Sequence, residues 1–146
     1  MNSEKTRLAR ILLVEDNEGD VLLTREAFDE CKVKTEISVV RNGLEALDFL
    51  FQKGAFTNAE RPDLILLDIN IPIFNGHEVL HKIKTDSKLR KIPVIILSTS
   101  TNQKDIDLAY KNRCNGFVTK PIETSKFLKA ILQIDGFWLH LSTLSN

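Results

Sequence analysis

Residues 64–68 read Leu-Ile-Leu-Leu-Asp. Four consecutive apolar side chains suit a strand covered on both faces, and that strand then ends on a carboxylate. Three further runs repeat the pattern. Ile11-Leu12-Leu13-Val14 leads into Glu15-Asp16, Ile92-Pro93-Val94-Ile95-Ile96-Leu97 into Ser98, and Gly116-Phe117-Val118-Thr119 into Lys120. A more polar stretch, Thr35 to Val40, reads as a fifth strand at a sheet edge.

Helix-length segments separate these runs. Asn17 is placed to cap a helix running to about Lys32, with Val21, Thr24, Phe28 and Cys31 on one face. Leu44, Leu47 and Phe51 form the expected inner stripe of a second helix, ended by Gly54. Val79, Leu80 and Ile83 serve a third, Ile106 and Ala109 a fourth capped by Asn102, and Phe127, Ile131 and Ile134 a fifth. Residues 54–62 make the longest loop. Strict alternation predicts an α/β protein, a flavodoxin-like (βα)5 doubly wound parallel sheet with strand order 2-1-3-4-5.

The chain has 146 residues, enough for one domain with a small extension. Its 20 basic and 20 acidic side chains cancel. Residues 1–75 carry net −5 and residues 76–146 net +5, but neither half has a long single-sign run. The basic excess (Lys82, Lys84, Lys88, Arg90, Lys91, Lys104 and others) reads as solvated helix faces, so no direct nucleic-acid contact is expected. No run approaches the ~20 apolar residues of a membrane helix. The N-terminus, MNSEKTRLAR, is polar, and Cys31 and Cys114 form no CxxC pair. Reduced thiols and a cytoplasmic location are the expectation.

In such sheets ligands bind beyond the C-terminal strand ends, at the switch point between strands 1 and 3. That crevice would receive Glu15, Asp16 and Asp68. Three close carboxylates raise one another's pKa values, and a hard divalent cation relieves the repulsion. An oxygen-only set suits Mg²⁺. Ser98 supplies a hydroxyl at the same edge, and Lys120 an ammonium. A carboxylate nucleophile, a metal, a cation and a hydroxyl donor together suit phosphoryl transfer to Asp68.

From about Ala9 to Leu132 the chain resembles the receiver domains of two-component response regulators. The matching pieces are ILLVEDN at 11–17, LILLDINIPIFNG at 64–76, IPVIILSTS at 92–100 and GFVTKP at 116–121. The resemblance implies that Asp68 accepts the phosphoryl group. It implies that Asp16, Asp68 and the backbone carbonyl of Asn70 bind Mg²⁺, with Glu15 acting mainly through water. Lys120 would pair with Asp68 and then with its phosphoryl group. Ser98 and Phe117 would be the switch pair, and Lys120–Pro121 a cis peptide. Asn70 and Ser100 are the groups expected to set the rate of autodephosphorylation. Three positions depart from the commonest pattern. Ser98 replaces Thr and keeps the hydroxyl. Phe117 replaces Tyr, which removes a phenolic hydrogen bond but keeps the packing. Asn75 replaces Asp in the turn before Gly76, with little effect expected.

One motif competes. His77-Glu78-Val79-Leu80-His81 is literally HExxH, the zinc-protease pattern. Val79, Leu80 and Ile83 define the buried stripe of that helix, which puts His77 and His81 toward solvent. A protease also needs a cleft and a third ligand, and His140 is the remaining histidine.

Cys31 and Cys114 read as structural thiols. Leu22 and Leu23 do not fit the inner face of the first helix. The resemblance makes that helix and the Pro121–Ile122 segment the dock for a phosphodonor kinase. The domain is placed at 1–134, followed by a C-terminal extension, 135–146, expected to be helical. Its Phe137, Trp138 and Leu141 fit one face. Receivers with a similar ending pair with phytochrome-like histidine kinases and tend to dimerise, so a homodimer is expected. The partners expected are a sensor histidine kinase of that type or a phosphotransfer protein. With no output domain expected after residue 132, the protein would signal by contact or by passing the phosphoryl group on, rather than act as an enzyme. Two other readings are a Mg²⁺-dependent phosphatase of the haloacid-dehalogenase type and a receiver that only binds partners. The first class places a second Asp where this chain has Asn70. The intact Asp16, Asp68, Ser98 and Lys120 speak against the second.

Overall fold

A computed structural model describes residues 8–31 and 34–134. The five expected strands form: β1 (Ala9–Val14), β2 (Thr35–Val40), β3 (Leu64–Asp68), β4 (Val94–Ser98) and β5 (Gly116–Thr119). All pair in parallel in the order 2-1-3-4-5. Every residue of β3 and β4 is buried, as a strand covered on both faces requires. The polar β2 lies at an edge.

Five helices cover the sheet: α1 (Glu18–Glu30), α2 (Gly43–Leu50), α3 (Gly76–Thr85), α4 (Gln103–Lys111) and α5 (Thr124–Leu132). Side chains alternate along each strand and so divide the interior in two. Leu12, Val14, Ile65, Leu67, Val94 and Ile96 pack with α2, α3 and Ala109 of α4. Ile11, Leu13, Leu64, Leu66, Ile95 and Leu97 face α1 and α5. On that second side Phe28 and Phe127 meet edge to face, ring centres 5.0 Å apart. Fully buried aromatics of this kind each contribute roughly 1.5–3 kcal/mol through burial.

Asn17, Asn42, Asn75 and Asn102 each cap a helix N-terminus with the side-chain oxygen. Three details depart from the sequence reading. α1 stops at Glu30, with Cys31 as its C-cap, two residues short of Lys32. In α2 the buried residues are Gly43, Ala46, Leu47, Phe49 and Leu50, while Leu44 is 44% exposed and Phe51 follows the last turn. The buried arc is centred between Ala46 and Leu50, so Leu44 falls on its outer side. The loop after α2 holds a short 3₁₀ turn, Gly54–Phe56, whose Phe56 packs on Phe49. Ile134 is buried beside α5, whereas the extension at 135–146 lies outside the described residues.

Candidate functional site

Parallel strands deliver their C-terminal ends to one edge. Glu15 and Asp16 follow β1, Asp68 closes β3, Ser98 closes β4 and Lys120 follows β5. Lys120 joins two of them, Glu15 and Asp68, to Asp20 of α1. Its ammonium lies 2.5 Å from Glu15 Oε1, 2.9 Å from Asp20 Oδ2 and 3.2 Å from Asp68 Oδ2. The lysine side chain is 5% exposed and Glu15 is fully buried. Asp68 also accepts the backbone N–H of Asn70 at Oδ1, 3.1 Å away, and Glu15 accepts that of Asn17. Lys120–Pro121 is cis, as the resemblance implied.

The electrostatics follow from burial. Desolvation pushes Glu15 up to about 7; the Lys120 hydrogen bond opposes this and the nearby Asp68 charge adds to it. Burial also works against the Lys120 charge. Its bonds to Glu15 and Asp20, with the charge of Asp68, outweigh burial and hold it above its ordinary range.

Glu15, Asp16 and Asp68 each place a carboxylate oxygen within 4.8 Å of the others. Two of these residues are buried and Asp16 is exposed, so the cluster opens to solvent on one side. Three hard oxygen donors around one open point fit a small divalent cation such as Mg²⁺.

Two contributors escaped the sequence reading. Asp20 is an acidic residue in the first turn of α1, a position that the helix dipole alone explains; its place beside Lys120 depends on how α1 packs. Gly76 is the first residue of α3. A Cβ there would sit 2.5 Å from the Asp68 carbonyl oxygen and 2.6 Å from Ile69 Cα. Only glycine lets α3 start that close to the end of β3, and its N–H donates to Ile69 O at 2.8 Å.

Ser98 is fully buried, and its Oγ accepts the Ser100 N–H at 3.0 Å. Phe117 is half-buried against the core on the α2–α4 side of the sheet.

The HExxH residues are spent on other tasks. Glu78 closes a capping box with Asn75. His77 Nε2 faces Asp105 Oδ1 on α4 at 3.2 Å, and His81 Nδ1 faces Asn112 Oδ1 at 3.4 Å. The expectation that both histidines point to solvent holds for His81 alone. His77 has a side chain only 13% exposed, because α4 packs across that flank of α3.

The model of the response regulator receiver domain matches residues 11–132. The chain belongs to this family. Response regulator Rcp1 of Synechocystis sp. is 39% identical over 144 residues, 99% of this chain and 98% of that protein. Among solved structures, the phosphorylated cyanobacterial phytochrome response regulator RcpA is 44% identical, with a TM-score of 0.78. That match covers 91% of this chain and 95% of the other. The Mn²⁺-bound form of Rcp1 is 40% identical over 90% of this chain and 94% of its own, with a TM-score of 0.76. This receiver is therefore a two-component signalling protein, and neither the phosphatase nor the zinc-protease reading is favoured. None of its described helices is long and apolar enough to cross a membrane.

Proposed function

We propose that this receiver takes a phosphoryl group from a phosphohistidine onto Asp68 and thereby switches a protein-binding surface. The observation that carries the reading is the joining of Asp68, Glu15 and Lys120 in one buried ion cluster beside the open carboxylate of Asp16. An Asp68 carboxylate oxygen attacks phosphorus, the P–N bond to the donor histidine breaks, and the imidazole nitrogen keeps the electron pair. Asp16, Asp68 and the Asn70 carbonyl would hold Mg²⁺, with Glu15 acting through water. The cation would offset charge on the phosphoryl oxygens and on the acids around them. Lys120 stays with the new phosphoryl group, since it already lies against Asp68. The Ser98 hydroxyl turns to donate to a phosphoryl oxygen, and Phe117 moves into the space vacated.

The donor we assign is a sensor histidine kinase of phytochrome-like type, or a phosphotransfer protein. The name of the similar RcpA structure supports it, together with Leu22 and Leu23, which α1 leaves 57% and 39% exposed. We also propose a homodimer, from the apolar Phe137, Trp138 and Leu141 of the sequence. Sedimentation of Trp138→Ala should show a lighter species than wild type. A cytoplasmic site follows from the same kinase partnership.

The deciding experiment is intact mass after incubation with acetyl phosphate and Mg²⁺, beside Asp68→Asn. One added phosphoryl group is expected, absent in the variant and without Mg²⁺. Fast autodephosphorylation would instead show as released inorganic phosphate. Neither adduct nor release would overturn the reading.

A further inference from the structure

The Ser98 hydroxyl is one end of a chain of polar contacts that passes through the segment after β4 to α4 and α3. Ser100 N donates to Ser98 Oγ at 3.0 Å. Ser100 Oγ donates to Asp105 Oδ2 at 2.8 Å and accepts Asn102 N at 3.1 Å. Asp105 Oδ1 meets His77 Nε2 at 3.2 Å. The chain therefore links the end of β4 to the first turn of α4 and then to α3. Bonds to the Ser100 hydroxyl, and next to His77, hold the Asp105 carboxyl below its ordinary range, so it is a charged acceptor and its bonds are of the stronger kind.

His77 is the unusual member. Its Nδ1 is buried and has no hydrogen-bond partner among the described residues. A buried imidazole with one nitrogen unpaired is unfavourable where an apolar side chain would fill the same gap. What the histidine offers over a leucine is its hold on Asp105. None of the metal-binding acids takes part in this chain.

We propose that His77 and Asp105 are positioning residues for the switch. They fix Ser100, and with it the 99–102 segment, in the arrangement in which the Ser100 N–H holds the Ser98 oxygen. Adopting the phosphoryl-bound arrangement then means breaking the Ser98–Ser100 link against this clamp. The inference rests on the reading of Ser98 as the hydroxyl that meets the phosphoryl group. Releasing the clamp raises the population of the competent arrangement, and a ligand that selects it binds tighter by the same factor.

The test titrates the phosphoryl mimic beryllium trifluoride, with Mg²⁺ present, into wild type, His77→Leu, His77→Gln and Asp105→Asn, following backbone amides by NMR. His77→Leu removes the donor, and His77→Gln restores one near the position of Nε2. His77→Leu and Asp105→Asn should bind the mimic roughly three- to tenfold tighter. Without the mimic, their Ser100 amides should already be displaced toward the mimic-bound position. His77→Gln should stay near wild type. Asp105 is one-third exposed, so its variant folds even where the histidine variant does not. Unchanged Ser100 amides and affinities in both variants would overturn the clamp. Equal effects of Leu and Gln at position 77 would also overturn it, since packing alone would then be at work. Failure of wild type to bind the mimic would strike the acceptor reading instead. The mimic-free Ser100 shifts would still report on the clamp.

Discussion

The Lys120 ammonium lies 3.2 Å from Asp68 Oδ2, in a pocket where it is 5% exposed and also meets Glu15 and Asp20. It is the one cation in contact with these three acids among the described residues. Removing one partner of a buried ion pair leaves the other charge uncompensated, which costs about 3–5 kcal/mol. Lys120→Met in chelator should therefore lose about 3 kcal/mol or more of unfolding free energy in urea. Added Mg²⁺ should return part of that loss, because a cation that binds only the folded cluster stabilises it. A variant as stable as wild type in chelator would show that the acids tolerate one another without the lysine.

Glu15 gives the metal-free protein a pH dependence of defined sign. Its carboxyl is pushed from the usual 4.5 to about 7 by burial. Between those values the folded chain binds more protons at this site than the unfolded chain. Stability then falls as pH rises. The contribution is full below about pH 4.5 and is lost as pH climbs through about 7. Denaturation of wild type in chelator should show this decline, and Glu15→Gln should flatten it. Mg²⁺ should flatten it too, since it favours the ionised carboxylate. A wild-type profile level from pH 5 to 8 in chelator would remove the proton from Glu15.

Much of this molecule is legible in its residues, for particular reasons. The runs at 11–14, 64–67, 92–97 and 116–119 are apolar on both faces, and only a covered parallel sheet satisfies them. Once the strand order follows, Glu15, Asp16, Asp68, Ser98 and Lys120 fall on one edge without further information. Asp20 and Gly76 were invisible because their roles depend on distances between elements. One depends on how far α1 leans toward Lys120, the other on how closely α3 approaches the end of β3. Leu44 misled because an eight-residue helix spans barely two turns, too few for periodicity to fix which side is buried. His77 misled because the stripe of Val79, Leu80 and Ile83 marks only the face toward the sheet, whereas α4 packs across the flank and covers most of the histidine.

The two thiols should react very differently. Cys114 is buried, and desolvation pushes its thiol up to about 11. Cys31 is half-buried at the end of α1, where burial and then Glu30 raise it. The thiolate is the nucleophile, so access and pKa act together. Iodoacetamide at pH 8 should add one group to the native protein, slowly and at Cys31, by intact mass and peptide mapping. Cys114 should be modified only after denaturation. Native labelling of both at similar rates would mean that the α4–β5 junction opens readily.

Ile73 sits in the loop between Asp68 and α3 with φ of 72°, and 64% of it is exposed. Left-handed backbone costs an L-residue about 1–2 kcal/mol, and a β-branched side chain is among the least suited to it. An exposed isoleucine returns little burial in exchange. Asparagine tolerates this conformation without the unfolded-state entropy of glycine. Ile73→Asn should therefore raise stability by about 1 kcal/mol, or roughly 2–4 °C in Tm for a chain of this size. Ile73→Val keeps the branch and should leave Tm unchanged. The two variants together separate backbone strain from side-chain size. If Asn gains nothing while Val loses stability, the isoleucine side chain contributes packing that outweighs its strain. The loop beside the acceptor carboxylate would then be held by contacts that its exposure conceals.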